Sequence, residues 1–159
     1  MTPDHHARGG AAVASLKSMR PSEARIVRNL RLWCEGPDGQ AQVWIHYRTS
    51  FPGPRARVEC KAFEMLLQIV ISTAHRPLVR HEVACTCVGS DECIFLHLVN
   101  TAGHGHLRDA ALIATLLVGP QYAEHVAGLA AQVGKGALSF DEDTPHLSTN
   151  TTGNVVRLH

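Results

Sequence analysis

The chain has 159 residues, 45% of them hydrophobic, 18% charged and 5% aromatic, with a net charge of +1. That length suits one domain with a buried core. The composition excludes a disordered chain, a collagen-like chain and a coiled coil, and the near-zero charge excludes a polybasic nucleic-acid binder.

The charge is unevenly spread. Residues 1–80 carry twelve Lys/Arg against six Asp/Glu, and residues 81–159 carry three against eight. Seven arginines fall between Arg20 and Arg57. Basic and aromatic residues do not interleave there, so a solvated face is expected rather than a nucleic-acid surface.

The first twenty residues lack the apolar core of a secretory signal, and no window reaches the roughly 18 apolar residues of a membrane span. A cytoplasmic protein with no membrane partner is expected, its five cysteines reduced or metal-bound. The sequon at Asn150 is then without use.

In chain order, residues 1–20 read as a mobile arm, with a short helix near Ala11–Met19. Arg25–Cys34 alternates in the manner of a strand, with Leu30, Leu32 and Cys34 on one side. Gly36-Pro37-Asp38-Gly39 is a turn signal, and Ala41–Arg48 alternates again, which predicts a β-hairpin. Arg57–Thr73 has helical spacing, with Cys60, Phe63, Leu67 and Val70 on one face. The 62–71 stretch is apolar nearly all round, so burial against a second copy of the chain is expected. Leu78–Cys87 and Glu92–Val99 read as strands of a second hairpin around Val88-Gly89-Ser90-Asp91. Leu107–Val118 and the segment from Pro120 through Gln132 read as helices. The residues from 134 onward are polar and read as a loose tail, with an edge strand at Val155–Leu158.

The predicted order is ββαββαα: an α+β domain over residues 21–133, with helices on an antiparallel sheet.

Chemistry concentrates in the second hairpin. His81-Glu82-Val83-Ala84-Cys85-Thr86-Cys87-Val88-Gly89-Ser90-Asp91-Glu92-Cys93 places three cysteines around a glycine-containing turn. Residues that bracket such a turn come within roughly 5 Å. Zinc takes four N, S or O ligands in a tetrahedron, and Cys60, Glu82, Cys85 and Cys93 can supply them. Alternatives stay open. His81 can replace Glu82, Cys87 can pair with Cys93 in a disulfide, and Cys34 and Cys87 can be plain buried residues. A nucleophilic Cys85 or Cys93 with His81 as base is a further option, but crowded thiols fit a ligand cluster better, so no enzyme is expected. His97, His104 and His106 are candidate haem or metal ligands, expected instead to be ordinary strand and loop histidines.

The run His75-Arg76-Pro77-Leu78-Val79-Arg80-His81-Glu82-Val83-Ala84-Cys85, followed by Gly89 and Cys93-Ile94-Phe95, resembles the signature of the 4-vinyl reductase domain. The likeness covers about residues 41–100. That family comprises small-molecule-binding modules of bacterial regulators, similar in fold to haem nitric-oxide sensors and to Golgi vesicle-tethering subunits. In its phenol-sensing members a glutamate and three cysteines bind a structural zinc. The resemblance carries those roles to Glu82, Cys85, Cys93 and, with a shift of about one residue, Cys60. It implies a regulatory homodimer that binds a small apolar ligand or a partner protein, with Trp44, Phe63, Leu67 and Phe95 lining the binding face. A ligand-free interaction module is the alternative, favoured by a solid interior. A haem or redox sensor is a third reading.

Overall fold

The computed structural model describes residues 12–143. In chain order these form β1 (Ala12–Ser15), a 3-10 turn, α1 (Pro21–Cys34), α2 (Pro37–Ser50), α3 (Gly53–Thr73), β2 (Cys87–Gly89), α4 (Ser90–Gly103), α5 (Leu107–Ala114), a second 3-10 turn and α6 (Ala123–Asp143). The molecule is mostly helical, with one antiparallel pair of strands, a layout compatible with the α+β class. The expected ββαββαα order is not found.

The first expected hairpin is a pair of helices. α1 buries Ala24, Val27, Leu30 and Arg31, the three- and four-residue spacing of a helix. Arg31 interrupts the apolar row, so the alternation of Leu30, Leu32 and Cys34 stands out in its place. α2 buries only Gly39 and Val43, too thin a face to show a helical period. Gly36-Pro37-Asp38-Gly39 does make a corner, but between helices. Pro37 opens α2, where its missing N–H costs nothing. A Cβ on Gly39 would lie 1.9 Å from the carbonyl oxygen of Leu32, so only glycine allows this approach.

α3 is the expected helix, starting four residues early at Gly53. It buries Cys60, Phe63, Leu66, Leu67 and Val70, while Val58, Met65 and Ile71 stay exposed.

The second expected hairpin also differs. Residues 75–86 form an irregular strap, with no strand over Leu78–Thr86. Cys87–Gly89 is a short strand that pairs with β1, Ala14 opposite Val88 and Ser15 opposite Cys87. The segment expected as the strand Glu92–Val99 is α4, whose Phe95, Leu98, Val99 and Ala102 are buried at helical spacing. The apparent turn at Gly89 is the start of that helix: the Glu92 carboxylate accepts the Gly89 N–H at 2.9 Å.

α5 ends at Ala114 rather than Val118, and α6 runs on to Asp143, through the first part of the expected tail. Within the expected arm, Leu16 is buried and its N–H donates to the Thr86 carbonyl at 2.8 Å. Residues 1–11 and the expected edge strand at 155–158 lie outside the described residues.

The core centres on the crossing of α4 and α6. A Cβ on Gly134 would meet the Val99 carbonyl oxygen at 2.3 Å, so the two backbones touch where Gly103 and Gly134 face each other. Phe63, Leu67, Phe95 and Leu98 are fully buried around it. No helix among the described residues is long and apolar enough to cross a membrane.

Candidate functional site

The strap is organised by a buried ion pair. Arg31 points from α1 into the strap and is wholly excluded from solvent. Its Nε and Nη2 donate to the two carboxylate oxygens of Glu92 at 2.6 and 3.0 Å. Nη1 donates to the carbonyls of Glu82 and Cys85 at 3.1 and 2.6 Å, and Nη2 to that of Cys87 at 2.6 Å. Glu92 in turn accepts N–H groups from His81 at 3.1 Å and Gly89 at 2.9 Å. A forked, fully bonded guanidinium–carboxylate pair is the form in which a buried charge is tolerated.

Two further arginines pin the strap from outside. Arg76 makes two bonds to Asp91, at 2.7 and 2.9 Å, and the Val79 N–H adds a third at 2.8 Å. Burial pushes the Asp91 carboxyl up, but Arg76 and Val79 outweigh it and hold it below the usual carboxylate range. Arg80 bonds Glu35 at 2.8 Å and the Cys34 carbonyl at 3.3 Å.

The four expected zinc ligands are dispersed. Cys60 is fully buried on α3, beside Glu64 and Tyr47, and burial pushes its thiol up to about 12. Glu82 is exposed on the strap, and Cys93 is half-buried at the first turn of α4. Cys85 lies 3.9 Å from Nδ1 of His81. Among the described residues no three His, Cys, Asp or Glu side chains gather in a group that could hold a metal ion, so the expected set is not assembled. His81, the alternative ligand, is buried, and its Nε2 has no partner. Cys87 is held up first by its hydrogen bond with Cys85. Burial raises Cys34, and burial with the nearby Glu92 raises Cys93. Thiols shifted this way keep their protons at neutral pH and are poor nucleophiles.

The expected binding residues are placed differently as well. Phe63, Leu67 and Phe95 are solid core, and Trp44 is half-buried against it. A wide concavity lies elsewhere. It is a cleft of about 730 Å3 between the α1–α2 corner, the end of α3 and the strap, lined by Trp33, Gln40, Gln68, Ile71, Leu78 and Arg80. Leu78 and Arg80 also line a second cleft of about 650 Å3, with Glu35, His81 and Glu82. The strap is thus the wall between two clefts.

Sequence reasoning missed Arg31 and Glu92, which hold the strap. The available signal was helical: Val27, Arg31 and Cys34 fall on one face of α1, and a charge on a buried face requires a partner.

No family model, no curated protein and no solved structure matches the chain.

Proposed function

We propose that the protein is a non-enzymatic regulatory module that binds a small apolar ligand in the cleft beside the strap. One observation carries this reading: Leu78 and Arg80 of the strap form a wall of that cleft, facing Trp33 and Ile71 on the helices. A ligand seated there touches both parts and favours the strap position that completes its contacts. The cleft has the volume of ordinary small-molecule sites. The upward shifts of the Cys34, Cys60, Cys87 and Cys93 thiols support a role without chemistry, and the resemblance of the strap to 4-vinyl reductase domains points the same way.

The test is a fluorescence titration with 1-anilinonaphthalene-8-sulfonate, comparing wild type with Ile71→Glu, an exposed cleft position that should not disturb folding. Saturable one-to-one binding, weakened about tenfold or more by a charge placed in the apolar cleft wall, is expected. Equal binding by both proteins would remove the reading.

The solid interior at Phe63, Leu67 and Phe95 favours a second reading, an interaction module that dimerises. Among the described residues, Leu112 on α5 and Leu116 just after it are the most exposed large apolar side chains, at 69% and 63%. Light scattering of wild type and Leu112→Glu decides it: a dimer converted to a monomer supports it, and a monomer in both cases rejects it.

A further inference from the structure

α1 carries another arginine in the opposite condition. Arg25 lies over the Phe140 ring at 4.3 Å from its centre. Its Nη1 is buried and has no hydrogen-bond partner. Burial holds its pKa below the ordinary arginine value, against a smaller opposing effect of Tyr47. Arg25 also lines a cavity between α1, α2 and α6, with Ser22, Asn29, Tyr47, Phe51 and Phe140. The cavity holds about 30 Å3, room for a group of one or two heavy atoms beyond a bonded atom. Outside it, Arg25, Arg28 and His46 line an open groove of about 300 Å3 with Pro21 and Ala24.

The cations here are not compensated by the nearby acids. Asp141 is held by the hydroxyl and N–H of Ser22 at 2.5 and 3.3 Å, with Arg20 at 3.8 Å. Glu59 faces Arg55 at 3.5 Å through one oxygen, and its other oxygen is buried without a partner. Among the described residues neither Arg25 nor Arg28 makes an ion pair. His46, whose Nδ1 donates to Asn29 at 2.7 Å, is depressed first by burial and then by these two arginines. The local field is therefore positive where the walls are largely apolar.

We propose that this is a binding site for a small organic carboxylate, its head on Arg25 Nη1 and the Tyr47 hydroxyl and its short tail in the groove between Arg28 and His46. A buried guanidinium nitrogen without a partner is costly to leave unbonded, and a carboxylate oxygen is its natural acceptor. A dianion such as phosphate fits less well: the cavity offers one guanidinium and walls from Ile26, Val133 and Ala137, too few donors for two charges. The arginine-rich stretch of the sequence thereby acquires a binding role that composition alone does not reveal.

The experiment is an NMR titration of the full chain with sodium butyrate at fixed ionic strength, sodium chloride making up the balance. Saturable shifts are expected in the amides of Arg25, Tyr47 and Phe140. Affinity should fall about tenfold in Arg25→Gln, a few-fold in Tyr47→Phe, and not at all in Arg57→Gln, an exposed arginine of α3. Should Arg25→Gln fail to fold, Arg25→Lys decides, since it keeps the charge but loses the planar fork; weakened binding supports the site and unchanged binding overturns it. Unsaturable shifts, an unchanged Arg25→Gln response, or equal shifts from inorganic phosphate would each overturn the proposal.

Discussion

Arg25 and Arg31 stand six residues apart on one helix and meet opposite fates. Arg31 is wholly buried and bonds two carboxylate oxygens and three carbonyls. Arg25 is half-buried, with an aromatic ring beneath it and one nitrogen that bonds nothing. The difference separates two uses of a charge in an apolar setting. Arg31 spends its donors on the chain's own backbone and fixes a shape. Arg25 keeps one in reserve, the arrangement of a site that expects a visitor.

This contrast can be broken by mutation, and the effects should differ in size. Arg31→Met leaves Glu92 buried and unpaired, so urea unfolding should show a loss of about 3–5 kcal/mol. A loss below about 1 kcal/mol would mean that the pair does not hold the strap. Adding Glu92→Leu to that variant removes the orphaned charge and should restore a large part of the stability. The double variant still loses the N–H contacts of His81 and Gly89, so full recovery is not expected.

Asp91→Asn should cost clearly less than Arg31→Met in the same assay, because the exposed Arg76 can turn to water when its charged acceptor is lost. The same bond gives a pH signature. Asp91 has a depressed folded pKa, so its contribution is complete above the unfolded value of about 3.9 and fades as pH falls through the lower folded value. In Asp91→Asn this part of the acid destabilisation should vanish.

The smallest effect belongs to Arg25→Met. It loses the contact with Phe140, worth about 0.5–1 kcal/mol, and gains relief from a desolvated, unpartnered nitrogen. Net stability should stay within about 1 kcal/mol of wild type. A loss comparable to that of Arg31→Met would show both arginines to be structural and erase the distinction.

Legibility in the sequence followed the completeness of each apolar face. α3 was readable because Cys60, Phe63, Leu67 and Val70 repeat without interruption. α1 was not, because its buried row contains an arginine whose partner lies 61 residues away, beyond any local pattern. α4 hid behind Gly89-Ser90-Asp91, residues that serve a turn and a helix start equally well. For the site, the histidine–cysteine stretch forms the strap. What holds it there is an ion pair drawn from two helices, and spacing within the stretch carries no trace of that. Cys60 sits at the right position on α3 for a core residue, and its neighbours are Tyr47 and Glu64 rather than the other thiols.

The separation of Arg31 from Glu92 also bears on how the chain is made. Synthesis proceeds from the N-terminus, so Arg31 leaves the ribosome well before the carboxylate that neutralises it. At about 5–20 residues per second the 61-residue gap lasts roughly 3–12 s. Throughout that interval Arg31 lacks every acceptor it bonds in the fold, because Glu92 and the carbonyls of Glu82, Cys85 and Cys87 all come later in the chain. The strap and α4 can therefore close over Arg31 only once Glu92 has been made, which makes burial of this cation a late step.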